Sequence, residues 1–509
     1  MKIRFSLVIL MCLCGSTYAQ EPADALRYSM PYQGGTARNQ AIGGAGASLG
    51  GEFSSLFINP AGLGFYKTHD FVFTPSYNLK NSKADYLQTN SSTKENNFVL
   101  GTTGILIAAP ATNKSIKTVS FGLGLNRSAD FNSNVYYRGT NNSTTYSEKY
   151  LEELINDNVT DPNRAANDYP FGSSLAFNTF LIDTLQAADG SLLGYRSLAD
   201  PSYGLIQENN ILTTGGITEL GFGVGASLND KFYFGGSLNL PFLNYERNGY
   251  YSETDGSNDP TNNFNYFEAN EYLQTKGVGI NGKFGIIYKP VEFVRLGLAF
   301  HTPTFYQLTD RYNIEIVTDL DGYGGGGQKR QSSSDLAGSF LESKYNLSTP
   351  YRVMASASYV FREDADVTKQ KGFITADVEY VDYKIASFSA VDKNDGAAVD
   401  YYNSLNNTLD NIYQSAFNIR LGGEVKLNTF MVRLGGAYYG NPYLDQTSNL
   451  VKLSGGIGYR NKGMFLDLTY VHNMMKDVNF PYRLEDRANI PATLKNNTGN
   501  IVATLGFKI

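Results

Sequence analysis

Between Phe417 and Leu427 the odd positions (Phe417, Ile419, Leu421, Gly423, Val425, Leu427) are apolar or small, whereas the even ones (Asn418, Arg420, Gly422, Glu424, Lys426) are charged, polar or small. Successive strand residues point to opposite faces, so this spacing predicts a strand with one oily and one charged face. The next segment repeats it, with Phe430, Val432, Leu434 and Tyr438 on one side and Arg433 on the other. In 464–472, Met464, Leu466, Leu468 and Tyr470 alternate with Phe465, Asp467 and Thr469. The chain ends with Ile501, Ala503, Leu505, Phe507 and Ile509 against Val502, Thr504, Gly506 and Lys508. Fourteen such segments are predicted, at about 68–78, 96–108, 116–127, 216–228, 231–244, 276–289, 292–301, 351–361, 372–384, 415–426, 429–439, 450–460, 463–473 and 499–509.

The connections alternate long and short after the first strand. Short turns fall at Pro110-Ala111-Thr112, Asn229-Asp230, Pro290-Val291, 362–371, Leu427-Asn428 and Asn461-Lys462. Long loops cover 79–95, 128–215, 245–275, 302–350, 385–414, 440–449 and 474–498. An even strand number, short turns at one end and long loops at the other are the build of a bacterial outer-membrane barrel. The fold class is therefore all-β: a transmembrane antiparallel β-barrel of about 14 strands over 68–509. A soluble β-sandwich is the alternative architecture.

Composition agrees. The 509 residues include 52 Gly, 37 Tyr and 31 Phe but no Trp, and no apolar run is long enough for a membrane-spanning helix. The mean hydropathy of −0.29 is the average of two opposed faces and polar loops. Several strands place glycine opposite their oily residues, among them Gly122, Gly124, Gly221, Gly223, Gly225, Gly456 and Gly458. Relief of crowding where the sheet curves is taken as their principal role, and close approach of a plug as the second. The start of the chain reads as a removable signal peptide over 1–19: Lys2 and Arg4, an apolar Phe5–Cys14, then small residues before Gln20. Both cysteines, Cys12 and Cys14, lie within it, without the small residue before them that a lipoprotein site wants, so the mature chain is expected to have no disulfide or thiolate chemistry. The net charge is −6, and no basic patch suggests nucleic acid.

Residues 20–67 do not alternate. They hold a small-residue stretch from Ala37 to Gly51, followed by Phe57-Ile58-Asn59-Pro60-Ala61-Gly62-Leu63-Gly64. With Gly277–Thr304 (Lys283-Phe284-Gly285-Ile286-Ile287-Tyr288-Lys289-Pro290, then Arg295-Leu296-Gly297-Leu298-Ala299-Phe300-His301-Thr302-Pro303), Asn418–Gly436 and the last strand, this segment resembles the FadL/TodX family. Members of that family are outer-membrane transporters of long-chain fatty acids and other hydrophobic compounds. The resemblance implies a fourteen-stranded barrel plugged by an N-terminal hatch over 20–67. It also implies that ligand moves a hatch turn at Asn59, Pro60, Ala61 and Gly62, and that cargo leaves through a gap in the barrel wall. The long loops, above all 128–215, depart from a minimal member.

A carboxylate-headed cargo needs a cation beside an apolar pocket. Lys283, Arg295, Arg352, Arg420 and Arg433 are the inward-facing candidates, with Asp377, Glu379, Glu424 and Asp467 sharing their face; mutual neutralisation is the competing role. Phe171, Phe177, Phe180, Leu181, Leu185 and Leu192 could form an outer docking groove or simply the core of a long loop. Other motifs lack context. Gly46-Ala47-Ser48-Leu49-Gly50 has the letters of a hydrolase elbow without a preceding strand. Gly322–Gly327 is a glycine-rich loop tip without a βαβ unit. Asp255–Asp259 and Asp319–Gly322 lack full calcium-loop spacing. His69, His301 and His472 are isolated on predicted strands, leaving tyrosine ligation of haem as the open cofactor route.

The expected protein is not an enzyme and carries no cofactor or metal. It is a monomer in the outer membrane of a Gram-negative bacterium, partnered by outer-membrane lipid, the barrel-assembly machinery and a hydrophobic, fatty-acid-like ligand. A non-transporting scaffold for surface secretion or assembly, and a channel for haem or aromatic hydrocarbons, are the alternatives.

Overall fold

The computed structural model describes residues 20–30, 34–111, 115–361, 371–444 and 448–509. The expected signal peptide, part of the Pro110–Thr112 turn and nearly all of the 362–371 turn lie outside them. Fourteen antiparallel strands close into one ring. They are β1 (Asp70–Phe73 and Pro75–Tyr86), β2 (Thr89–Leu100 and Thr103–Pro110), β3 (Ile116–Asp130 and Ser133–Asn141), β4 (Leu205–Leu228), β5 (Phe232–Thr254) and β6 (Tyr266–Val291). Then follow β7 (Val294–His301 and Phe305–Asp319), β8 (Leu341–Ser348 and Arg352–Phe361), β9 (Gly372–Asp382 and Ser387–Ala390) and β10 (Ser415–Leu427). The last four are β11 (Phe430–Tyr439), β12 (Leu450–Asn461), β13 (Met464–Asn479) and β14 (Ala492–Lys508). Each pairs with its sequence neighbour over at least part of its length, and β14 returns to β1 from Asp70↔Lys508 to Asp85↔Thr493, so the ring closes.

The period-2 pattern sorts as the sequence predicts. On β10 the outward residues Phe417, Ile419, Leu421, Val425 and Leu427 are exposed, while Asn418, Arg420 and Glu424 point inward and are buried. Exposed apolar side chains form a belt about eleven residues tall, from Phe232 to Phe242 on β5, for example. That height suits a tilted strand crossing a hydrocarbon layer. A closed ring with an oily outside spans the outer membrane.

The strands run farther than the alternation indicated. The expected loop 79–95 is a strand hairpin turning at Leu87-Gln88, and much of 245–275 and 302–350 is also strand. Above the belt the outside meets water, both faces become polar, and the hydrophobic period disappears although the ladder continues. His69, expected on a strand, precedes β1.

The 142–204 insertion folds into helices Glu148–Asn156, Pro162–Asn167 and Ser173–Asn178 and a small hairpin, Ile182–Gln186 with Leu192–Ser197. Its core joins Tyr150, Leu154, Leu175 and Leu181 to Phe264, Phe267 and Ile316 on the extended walls. Phe177 and Phe180 pack against this core, and Leu185 is exposed. The loop core therefore claims Phe177, Phe180 and Leu181, three of the six residues that could have built an outer groove.

An arginine on the outer face at mid-belt, Leu298→Arg or Leu421→Arg, is expected to cost about 2–4 kcal/mol of barrel stability in vesicles, while Asn248→Arg above the belt costs under about 1 kcal/mol. Urea unfolding of the refolded barrel measures both.

Candidate functional site

The segment before β1 runs inside the ring. Its pieces are α1 (Pro22–Ser29), α2 (Ala37–Ala41), α3 (Ser55–Ile58) and a 3-10 turn, Pro60–Phe65. Proline at the first position of that turn needs no donor, and the Asn59 side chain caps it by accepting from the Ala61 N–H at 3.2 Å. The Asn59 amide also donates to the Ala47 carbonyl at 2.6 Å, tying two stretches of the segment together.

The inner wall is cut to receive this backbone. A β-carbon at Gly435 would stand 2.1 Å from the Gly43 nitrogen, and one at Gly422 would stand 2.2 Å from the Ile42 oxygen. At Gly235 it would meet the Pro60 carbonyl carbon at 2.2 Å, and at Gly285 the Asn59 Oδ1 at 1.7 Å. Gly221 and Gly223 face the side chains of Phe57 and Leu56, and Gly225 faces Gly64. Close approach, rather than curvature alone, accounts for these inward glycines. Gly458 differs, lying against the Arg433 guanidinium and Asp467.

Polar wall residues then hold what the glycines admit. The α2 region is bound through Ala37 N–H to Thr504 Oγ1 (2.8 Å), Thr469 Oγ1 to the Ala37 carbonyl (2.7 Å) and Ser454 Oγ to the Ala41 carbonyl (3.0 Å). Asp377 accepts from the Ala47 N–H at 3.1 Å and from Ser356 Oγ, which lies 2.7 Å from Ser48 Oγ and can accept from it. Ser48, the would-be nucleophile, is thus a plug contact.

The five candidate cations all lie on inner faces, with different partners. Lys283 pairs with Glu219 at 2.9 Å, and Arg420 with Glu379 at 2.9 Å. Arg433, fully buried, bridges Glu424 and Asp467 at 2.6 Å each, and Glu424 also receives Arg38 of α2 at 3.0 Å. Arg295 donates to the Leu49 carbonyl and lies 4.8 Å over the Phe65 ring, itself stacked on Tyr233 at 3.7 Å. Arg352 makes no ion pair among the described residues, and its guanidinium donates to the carbonyl of Ser29 at the end of α1. Arg38 and Glu219 were not among the sequence candidates. Glu219 shares the parity of Gly221–Gly225 and was legible; Arg38 lies where no period exists.

Lys283, Arg352, Glu379 and Arg420 line one cavity of about 150 Å³ together with His301 and apolar Phe57, Ile58, Ile217, Tyr306 and Met354. His301 Nε2 lies 2.8 Å from the Ile58 carbonyl. Arg295 and Arg433 do not line the cavity; Arg295 binds the N-terminal segment at Leu49 and Phe65, whereas Arg433 meets only the wall carboxylates Glu424 and Asp467. The cavity floor is the N-terminal segment, and its roof includes Tyr28 and Met30. Above it, α1 packs on a helix of the 385–414 loop (Gly396–Ile412), with Tyr401 donating to the Gln20 carbonyl at 2.8 Å.

The ring is weakest beside this cavity. β2 and β3 are laddered from Thr103↔Leu125 to Pro110↔Thr118, but no ladder joins Thr89–Leu100 to Ser133–Asn141. A bulge at Arg127/Ala129 turns β3 away. Side chains bridge the seam: the Asp130 carboxylate accepts from Lys80 Nζ (2.7 Å), Asn78 Nδ2 (2.8 Å) and Asn97 Nδ2 (3.3 Å).

Glu424→Gln, which leaves Arg38 and Arg433 short of a counter-charge, is expected to lower unfolding stability by about 3–5 kcal/mol in urea titration. Gly435→Val is expected to expel the 37–45 stretch and expose it to protease while the barrel keeps its heat-dependent gel mobility.

No family model matches the sequence, and no curated protein does. Solved structures do match. The crystal structure of a Pseudomonas aeruginosa FadL homologue covers 94% of this chain and 99% of its own at TM-score 0.54 and 13% identity. The P. putida toluene transporter TodX covers 94% and 99% at TM-score 0.50 and 12% identity. At such identities the likeness speaks for the fold, and the fold of this chain is that of the FadL and TodX barrels.

Proposed function

We propose that this protein is an outer-membrane channel for uptake of hydrophobic small molecules, with long-chain fatty acids as the cargo and the 20–67 segment as a movable hatch. Arg352 is the observation that carries the reading. It lines a cavity in which Phe57, Ile58, Ile217 and Met354 stand beside charged groups, Glu379 among them, makes no ion pair among the described residues, and spends its hydrogen bond on a backbone carbonyl of the N-terminal segment. A fatty-acid carboxylate would form a stronger, charge-assisted bond with that guanidinium and release Ser29. Head-group binding would thereby loosen α1, and the polar hooks below it would set how far the hatch follows. The seam between β2 and β3, closed by side chains rather than a ladder, supports lateral exit into the membrane. The likeness to a FadL homologue and a toluene transporter points the same way.

A single-ring aromatic is the second reading, favoured by cavity size. About 150 Å³ accommodates a benzene-sized guest, whereas an eighteen-carbon chain requires the hatch to move first.

Uptake in a host lacking its own transporters separates the two. Arg352→Gln is expected to cut oleate uptake about tenfold and leave toluene entry unchanged. Equal loss of both would reduce Arg352 to a structural tie, and no uptake of either by the folded wild type would favour the scaffold alternative. For the hatch, the pair Ser48→Cys and Ser356→Cys, oxidised to a disulfide, is expected to block uptake until reductant is added. Full activity in the oxidised state would rule out movement of that stretch.

A further inference from the structure

Outside the lumen, four lysines line up across adjacent strands. Lys83 of β1 stands directly opposite Lys495 of β14, and Lys495 stands directly opposite Lys476 of β13. Lys94 of β2 is opposite Asn81, two positions from Lys83, and so is its diagonal neighbour. All four are exposed and share the outward parity of Tyr77, Leu79, Phe98, Met474 and Ile501. Directly opposed side chains on antiparallel strands have β-carbons about 5 Å apart, where like charges repel.

Several exposed cations elsewhere above the belt are paired: Arg138 with Glu208 (3.2 Å), Arg330 with Glu315 (3.3 Å) and Lys344 with Glu342 (3.4 Å). None of the four lysines has an ion pair among the described residues. Glu95 and Asp477 project from the opposite face of their strands, and Asp85 is the one acid sharing the outward face, opposite Thr493. An acidic protein that lines up lysines across four adjacent strands carries a repulsion that an external anion would relieve.

The position of the strip says which anion. Lys83, Lys94 and Lys495 lie four to six residues beyond the last exposed apolar side chain on their strands (Leu79, Phe98, Ile501), and Lys476 lies between exposed Met474 and Val478. With strand rise and tilt this is about 5–15 Å above the hydrocarbon edge, in the head-group zone of the outer leaflet. An occupant must set acyl chains on the belt and an anion on the lysines at once. The geometry points to a phosphate-binding strip, formed by Lys83, Lys94, Lys476 and Lys495, for the phosphorylated head group of an outer-leaflet glycolipid. This site rests on the membrane reading but not on the cargo, since it lies outside the barrel.

The full chain, inserted into phosphatidylcholine vesicles with bisphosphorylated lipid A or its dephosphorylated form, tests the strip, with bound lipid counted per barrel after extraction. Wild type is expected to retain the phosphorylated lipid preferentially and to lose it as salt rises. Each Lys→Gln change should weaken retention about fivefold, and replacing all four by arginine should restore it. Heat-dependent gel mobility confirms that each variant is folded. A folded quadruple Lys→Gln variant that retains lipid like wild type overturns the strip, as does equal retention of the dephosphorylated lipid. Saturable binding of inorganic phosphate without lipid preference also overturns it, by making the lysines a free-anion site. A wild type that inserts into none of these bilayers strikes the membrane reading instead.

Discussion

A backbone carbonyl of Ile42 lies so near Gly422 that a methyl group in place of its hydrogen would come to 2.2 Å, and the same holds for Pro60 against Gly235. Contacts of this kind let about fifty residues share the lumen with inward side chains from fourteen strands. A lumen of this width would leak if empty and would not admit a chain if lined by ordinary side chains. Glycine on the inner parity, at the positions the plug crosses, resolves both problems. The oily outer parity of the same strands is left untouched, because successive residues face opposite ways.

Charge follows from that arrangement. With the plug seated, Arg38, Glu424, Arg433 and Asp467 are cut off from water and must satisfy one another. Such a network adds little net stability over apolar packing, since desolvation offsets the attraction, but it penalises any other placement of α2. The segment is held at both ends, by this network at α2 and near α1 by Gln20 to Asp310, Tyr401 to the Gln20 carbonyl, Tyr413 to the Pro22 carbonyl and Arg352 to the Ser29 carbonyl.

The outside has two zones. Within the belt, the solvent is lipid and every outward position is apolar; above it, the ladder carries a folded cap and a set of surface charges. Several are paired, and among the described residues the lysine strip is not. Under the proposed function, ligand traffic and lipid binding fall on opposite faces of the same strands, so substitutions for one need not disturb the other.

Alternation alone was enough to determine the ring: each of the fourteen segments, including Phe417–Leu427 and Met464–Tyr470, is a strand with the face assignment its parity dictates. Parity also placed all five candidate cations inside, because a half-apolar strand in a lipid-facing barrel admits one orientation. The strand extensions above the belt escaped, since water on both sides erases the period. So did the division of labour among the cations. Whether Arg433 meets Asp467, or Arg352 only a carbonyl, depends on strands far apart in sequence and on a plug without periodicity. Glycines 221–225 show the same boundary: their face was legible from the chain, but that Leu56, Phe57 and Gly64 press against them is a fact of tertiary packing.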